Sequence, residues 1–147
     1  MMTTNQQLPA GPMDDLDDDD YKALASFRHS LRSFFAFSED AARKVGLPPQ
    51  QHQAILAVRS LSTGRGATVG SVANHLLLKP HTAVGLIDRL VRGDLLVRIQ
   101  DQEDRRRVLL TLTPKANEAL RALSAIHLTE IRRNAPELID LLRQLSA

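Results

Sequence analysis

The strongest chemical signal in the chain is DQEDRRRVLLTLT, residues 101–113, in which three acids precede three consecutive arginines. Adjacent like charges repel one another, and a bound anion or a neighbouring acid is needed to offset this repulsion. Because an exposed ion pair contributes only about 0–1 kcal/mol, we expect Asp101, Glu103 and Asp104 to orient the guanidinium groups rather than to hold the fold. An arginine gains from the negative potential of a narrow DNA minor groove. The segment therefore predicts a DNA contact.

A second candidate surface lies on a helix predicted to begin at Pro80 and to end near Gly93. Its apolar residues fall at helical spacing and form an inward side, namely Ala83, Leu86, Ile87, Leu90 and Val91. Its other side has short side chains near the start and basic ones near the end, namely His81, Thr82, Gly85, Asp88, Arg89 and Arg92. Short side chains allow close approach to base edges, and arginines can reach phosphates. An ordinary amphipathic helix with one solvated face is the alternative.

The elements that must position these residues are mostly helical. Apolar periodicity, prolines and capping residues, among them Thr68 and Thr113, predict helices over residues 21–45, 49–61, 69–76, 80–93 and 114–134, with a last short helix starting at Pro136. Alternating segments at 95–100 and 108–113 predict two strands of a hairpin. Two short helices joined by a tight turn and followed by a hairpin make a winged helix-turn-helix. The predicted fold is mainly α with a small β-hairpin wing.

The first helix carries an unusual concentration of aromatic residues. All four Phe of the chain lie between positions 27 and 37. Phe37 falls off the line that joins Leu24, Leu31 and Phe34, so the helix is apolar on more than one side. We therefore expect it to pack against a second chain as well as its own core.

Composition bounds the class of protein. The 147 residues are 43% hydrophobic, enough for one domain with a real core. The chain has no Cys, which excludes disulfides, thiol switching and Cys-based zinc sites. No apolar run approaches the roughly 20 residues of a membrane span, and no secretory signal is present, so a cytoplasmic protein without a membrane partner is expected. We find no phosphate loop, placed nucleophile or paired carboxylates, so no enzyme is predicted.

Charge is distributed unevenly along the chain. The first twenty residues contain six Asp and no Lys or Arg. The rest contains 19 Lys and Arg against 11 Asp and Glu, a formal net charge of +8. A basic body of this kind favours a polyanionic partner, although simple solubility would also explain it. Residues 1–19 have little to bury, and we predict a disordered acidic tail there.

The run TVGSVANHLLLKPHTAVGLIDRLVRGDLLVRIQDQEDRRRVLLTLTPKANEAL, residues 68–120, resembles the winged-helix core of the MarR (multiple antibiotic resistance regulator) family of transcription regulators. Three pieces carry the resemblance through their order and spacing: DRL at 88–90, DRR at 104–106 and LTPK at 112–115. The flanking helices also match the layout of the family, so the resemblance covers about residues 21–147.

The resemblance implies one domain over residues 20–147. Its dimerisation helices would be residues 20–46 and 114–147, and its winged helix-turn-helix residues 49–113. The implied protein is a homodimer that binds a pseudo-palindromic operator in double-stranded DNA, with one winged helix per half-site. A repressor is the expected form of regulator. A winged helix that serves only as a protein–protein interaction module is the alternative.

The resemblance also assigns residues to roles. The groove-facing positions would be Lys79, His81, Thr82, Gly85 and Arg89. At the wing tip, Asp104 and Arg106 would enter the minor groove, with Arg105 between them. Asp88 stands where the family uses an acid to tether a wing arginine, and our hypothesis is that its partner here is Arg106.

Three positions depart from the pattern of the family. Ala116-Asn117 replaces the usual Gly after LTPK, inside a helix, where the change is harmless. Asp94 stands where the family usually has Gly after the recognition helix, and either Asp94 or the adjacent Gly93 could take the left-handed turn conformation. Leu77 occupies a position where many helix-turn-helix proteins place a turn Gly, which predicts local strain.

The resemblance suggests a small aromatic or anionic effector, because family members are often released from DNA by small aromatic acids. Its predicted pocket combines aromatic and basic side chains, namely Arg28, His29, Arg32, Phe34, His52 and Arg59. The alternative is that the Phe residues form only dimer core. No metal or other cofactor is predicted, because the five His show no close ligand spacing.

Overall fold

The computed structural model describes residues 16–147. In chain order its elements are α1 (Asp18–Lys44), α2 (Pro49–Leu61), α3 (Val69–His75), α4 (Pro80–Arg92), β1 (Leu96–Gln100), β2 (Val108–Leu112) and α5 (Pro114–Ser146). The two strands form an antiparallel hairpin in which Leu96 pairs with Leu112 and Gln100 with Val108. The Leu110 N–H also donates to the Ala67 carbonyl at 2.8 Å, which attaches the segment before α3 to the hairpin. The predicted mainly α fold with a hairpin wing is confirmed.

Helix α1 begins earlier than the predicted boundary between tail and domain. Of the predicted disordered tail, residues 1–15 lie outside the described residues, but Asp18 and Asp19 are helical. The Asp17 carboxylate accepts the Asp20 N–H and the Asp20 carboxylate accepts the Asp17 N–H, each at 3.0 Å. This reciprocal capping satisfies two free donors at the helix start, and acidic residues are favourable there. The prediction of disorder through residue 19 was therefore wrong at its end.

The core lies between α2, α3, α4, the hairpin and the first half of α5. Ala83, Leu86, Ile87 and Leu90 are buried along α4, as predicted for its inward side, and Val91 is half-buried against the same cluster. The other large side chains that are almost fully buried are Ile55, Val58, Val72, Leu96, Leu110 and Leu123. Because these residues come from every element around α4, the packing fixes the orientation of that helix.

Within residues 16–147, two non-glycine residues take the left-handed conformation, and each directly follows the C-cap of a helix of the helix-turn-helix unit. Leu77 has φ 56° and its side chain is 92% exposed, so the strain predicted there is present and the side chain contributes little packing. Asp94 has φ 58°, whereas Gly93 has φ −82°. Asp94 therefore takes the turn conformation itself, in agreement with the tolerance of Asp for this region.

The last helix differs from our prediction. We expected a break before Pro136, but α5 runs without interruption from Pro114 to Ser146. Proline removes one hydrogen bond, the one that would reach the carbonyl of Arg132. Arg132 and Pro136 are both exposed, so water can reach that carbonyl and the helix continues. Beyond the proline, Leu141 is buried against α1 side chains, which favours continuation.

Helices α1 and α5 pack against each other and leave large apolar side chains uncovered. In α1 these are Tyr21, Leu24, Leu31 and Phe35, each between 41% and 59% exposed. In α5 they are Ile126, Leu128, Ile131, Ile139, Leu142 and Leu145, each between 38% and 47% exposed. Contiguous exposed apolar surface of this extent is typical of an interaction face.

Candidate nucleic-acid interface

The outward side of α4 is accessible along its length. Lys79, His81, Thr82 and Arg89 are exposed, and Gly85 is half-buried between them. The helix begins at Pro80, and no side chain caps its first free N–H groups. A Cβ at Gly85 would meet only the Arg89 Nη2 at 3.6 Å, which is an ordinary contact. Glycine is therefore not needed there to avoid a clash, and its effect is to leave this face of the helix without a protruding side chain. The predicted groove-facing residues therefore share one open face.

The acids of the wing loop act mainly on its backbone. The Asp101 carboxylate accepts the Glu103 N–H at 3.0 Å, and the Asp104 carboxylate accepts the Arg106 N–H at 3.1 Å. Such bonds from an Asp to the N–H two residues later stabilise tight turns. The expectation that the acids orient the arginines holds in a different form, since Asp104 shapes the chain around Arg106 instead of pairing with its guanidinium.

The three consecutive arginines are not equivalent. Arg107 turns inward, where its Nη1 contacts the half-buried Asp101 carboxylate at 3.4 Å and its Nη2 donates to the Arg65 carbonyl at 3.3 Å. Arg105 and Arg106 are exposed at the loop. Arg107 therefore anchors the wing to the loop before α3, and Arg105 and Arg106 form the free basic tip beside Asp104.

The predicted tether between Asp88 and Arg106 was wrong. Asp88 instead forms a hydrogen-bonded ion pair with Arg98, in the middle of β1. Alternate residues of a strand share a face, so Arg98 lies on the same face as the buried Leu96, the face that meets α4. The tether therefore connects the exposed side of the helix to the body of the hairpin rather than to its tip.

Removing either side of this tether is expected to have the same effect. Asp88→Ala and Arg98→Ala should each change stability by no more than about 1 kcal/mol, because the pair is partly exposed. Each should nevertheless lower DNA affinity several-fold, since the wing is no longer held at a fixed angle. Amide hydrogen exchange of β1 and a double-mutant cycle measure the coupling. Strictly additive effects of the two substitutions would contradict the tether.

The LTPK segment connects α5 to the end of α4. The Thr113 hydroxyl donates to the Asp94 carbonyl at 2.7 Å and accepts the Ala116 N–H at 3.1 Å. The Lys115 Nζ donates to the Gly93 carbonyl at 3.2 Å. From the sequence we assigned Thr113 only as a helix cap, and the link to α4 was missed. A basic side chain at the helix C-terminus also interacts favourably with its dipole.

The six predicted effector residues do not form one pocket. Arg59 lines an open groove of about 900 Å³ between α2 and α5, and His29 lines a separate recess between α1 and the end of α5. Arg28 and Arg32 are exposed on α1 and line neither. The prediction was wrong in this respect, because residues that share a helix were assumed to face one cavity.

Phe34 and His52 do come together, around a residue that the sequence did not single out. Phe34 and His52 have ring centroids 5.9 Å and 5.0 Å from that of His127. The His127 Nδ1 donates to the Leu123 carbonyl, and its Nε2 accepts the Ser38 hydroxyl at 2.7 Å. Burial, and secondarily the nearby His127, lower the pKa of His52 below its usual 6.5. The cluster joins α1, α2 and α5.

The lowered pKa of His52 predicts a dependence of stability on pH. The unfolded chain binds a proton at His52 near pH 6.5, whereas the folded chain binds it only at lower pH, so stability falls as the pH drops through 6.5. His52→Gln should reduce this slope. Urea unfolding of the two proteins at pH values on either side of 6.5 measures it. Equal slopes for wild type and His52→Gln would contradict the assignment.

Within residues 16–147, no three His, Asp or Glu side chains lie close enough together to hold a metal ion. None of the helices in this part of the chain is long and apolar enough to cross a membrane.

Comparison with known proteins agrees with this geometry. The sequence profile of the MarR family matches residues 45–107. YkoM of Bacillus subtilis (strain 168), an uncharacterized HTH-type transcriptional regulator, is 34% identical over 116 residues, which cover 76% of this chain and 73% of YkoM.

Solved structures show the same fold at lower sequence identity. A MepR mutant from S. aureus bound to an oligodeoxyribonucleotide is 21% identical, with a TM-score of 0.61 over 86% of this chain and 96% of that one. CouR from Rhodococcus jostii RHA1, bound to p-coumaroyl-CoA, is 20% identical, with a TM-score of 0.67 over 87% of this chain and 88% of that one. These structures share the helix-turn-helix core, the wing and the long flanking helices of this chain. Together with the profile match and the similarity to YkoM, they show that the chain belongs to the MarR family of transcription regulators.

Proposed function

We propose that this regulator binds a pseudo-palindromic operator in double-stranded DNA as a homodimer and acts as a repressor in the cytoplasm. The observation that carries the proposal is the Asp88–Arg98 pair, which joins the open face of α4 to the hairpin. A groove-sized helix and a basic loop are thereby presented to DNA as one rigid unit.

In this proposal the two parts of the unit have different tasks. The face formed by Lys79, His81, Thr82, Gly85 and Arg89 enters the major groove, where short side chains allow contact with base edges. The wing tip of Asp104, Arg105 and Arg106 lies along the minor groove and the backbone. Phosphate contacts supply affinity, and base contacts supply sequence preference.

The uncovered apolar faces of α1 and α5 support the homodimer. They lie within residues 20–46 and 114–147, the segments expected to dimerise, and a second copy would cover them reciprocally. A two-fold dimer carries two equivalent recognition helices, so its operator should contain two related half-sites. Repression follows if the dimer, seated on promoter DNA, blocks access by the polymerase.

We also propose that a small anionic effector releases the dimer from DNA. CouR is bound to p-coumaroyl-CoA, which carries an aromatic group and phosphates. In this chain the groove between α2 and α5 is of suitable size for a small ligand, and Arg59 and Arg121 line it. Of the six residues predicted for the pocket, Arg59 is therefore the one best placed to meet an anion.

Selection of genomic fragments by the purified protein, followed by titration against salt, tests the proposal. We expect enrichment of sequences with two-fold symmetry and a steep loss of affinity with added salt, because each phosphate contact releases counterions. Repeating the selection with aromatic acids tests the effector. A protein–protein interaction module would enrich no common sequence.

A further inference from the structure

The groove between α2 and α5 carries basic side chains above an apolar floor. Its lining includes Leu56, Arg59, Asn117, Glu118, Leu120 and Arg121. Leu56 is 48% exposed, and Leu120 is buried at the base. An open groove of this composition suits an amphipathic segment with acidic side chains.

The two arginines of the groove are held loosely by their own chain. Within residues 16–147, no carboxylate lies within 4.0 Å of the guanidinium of Arg59 or Arg121. In the same part of the chain, Arg59 makes a marginal hydrogen bond to the Asn117 Oδ1 at 3.5 Å. Glu118 is the single acid that lines the groove, so the site as a whole is positive.

The start of α1 has the complementary character. The carboxylates of Asp17 and Asp20 form the reciprocal cap, and those of Asp18 and Asp19 take no part in it. Asp19 has only a 3.9 Å contact with Lys22, and both side chains are at least 78% exposed. Leu16, just before the helix, is 57% exposed, and Tyr21 and Leu24, in its first two turns, are 59% and 52% exposed. This helix start therefore combines free acid with uncovered apolar surface.

A chain cannot place its own helix start in its own groove. The first half of α1, at Ala25 and His29, lies against Leu141 and Gln144 near the end of α5. The groove lies near Leu120, about 20 residues earlier on α5, which corresponds to roughly 30 Å along the helix. Because α1 is continuous from Asp18 to Lys44, its start is held at the distant end. An acidic helix start in this groove must come from a second copy.

We propose that each groove between α2 and α5 receives the start of α1 from the partner chain. The carboxylates of Asp18 and Asp19 lie at the guanidinium groups of Arg59 and Arg121, and Tyr21 covers Leu56. The inference rests on the homodimer of the proposed function and specifies how the two chains recognise each other. A two-fold axis repeats the contact, so four carboxylates meet four arginines in each dimer. A small anion that enters the groove would compete for the same arginines.

Charge exchange between two variants tests this contact. The groove variant carries Arg59→Glu and Arg121→Glu, and the helix-start variant carries Asp18→Lys and Asp19→Lys; all four positions are exposed. Each variant alone places like charges together, and its dimer should dissociate at least about tenfold more readily than wild type. An equimolar mixture should form heterodimers of nearly wild-type affinity, because both contacts then join opposite charges. Sedimentation equilibrium and native mass spectrometry measure these species.

The protein with all four substitutions separates recognition from folding. Its homodimer should recover most of the dimer affinity that each double variant loses. This recovery is expected even though the helix start still carries both lysines. If lysine merely unwound the start of α1, neither the mixture nor the fourfold variant would recover, and the docking proposal would be overturned. Arg105→Glu with Arg106→Glu is the matched control, since it makes the same change in charge at the wing and should leave dimerisation unchanged.

Two further results have distinct meanings. A wild-type protein that sediments as a monomer would overturn the homodimer of the proposed function, and this inference with it. A wild-type dimer whose affinity is the same in both charge variants would overturn only the docking of the helix start in the groove.

Discussion

Replacement of Arg105 and Arg106 by glutamate is expected to lower operator affinity by roughly 100- to 1,000-fold, about 3–4 kcal/mol. Both side chains are exposed at the wing tip, and the folded chain does not use them elsewhere as it uses Arg107. Each dimer loses four guanidinium groups and places four carboxylates against phosphates. Fluorescence anisotropy with a labelled operator, repeated across salt concentrations, should show a shallower slope as well as weaker binding.

Comparison with two other arginines sharpens this result. Arg89→Ala, on the open face of α4, should cost roughly 1–3 kcal/mol with the selected operator and should relax its sequence preference. Arg107→Ala should instead loosen the wing, because it removes the contacts to Asp101 and the Arg65 carbonyl. If the wing-tip and helix substitutions changed specific and non-specific binding in the same proportion, the proposed division between affinity and preference would be wrong.

Leu90→Ala is expected to reduce the free energy of unfolding by about 2–5 kcal/mol, which is a large part of the stability of a small domain. Leu90 has no exposed surface and lies in the core cluster beside Leu86 and Ile87, on the inner side of the recognition helix. Alanine would leave a cavity at the point where α4 meets the hairpin. Chemical denaturation followed by circular dichroism measures the loss.

Val84→Ala is the matched control for this substitution. Val84 lies on the same helix but is 46% exposed, so the change should be within about 0.5 kcal/mol. Operator affinity of the Leu90→Ala protein, measured at a temperature where it is folded, should also fall, because the core sets the angle of the helix. Similar stability losses for the two variants would show that α4 is not anchored by its inner side.

Sequence patterns predicted the helices and strands well where local chemistry sets them. Thr68 and Thr113 cap their helices as expected, and the two strands pair across the predicted loop. The pattern failed where the outcome depends on solvent or on distant neighbours. Pro136 is tolerated because its surroundings are exposed, and Asp17, which was assigned to the tail, caps α1 instead.

In the candidate site, too, the features set by local sequence were predicted and those set by distant neighbours were not. The open face of α4 follows from helical periodicity and was predicted residue by residue. The partner of Asp88 depends on which face of β1 meets α4, and spacing along the chain does not reveal that Arg98 is closer than Arg106. The cluster around His127 joins residues 89 positions apart through its bond to Ser38, so no local signal could have indicated it.

The central claim is that two copies of this chain hold two recognition helices against one symmetric duplex. Hydroxyl-radical footprinting of the selected operator, combined with the mass of the complex, tests it directly. The account predicts two chains per duplex and protections related by two-fold symmetry, with half-sites about 10 base pairs, one helical turn, or a multiple of it apart. One chain per duplex, or protection of a single half-site without a symmetric counterpart, would contradict it.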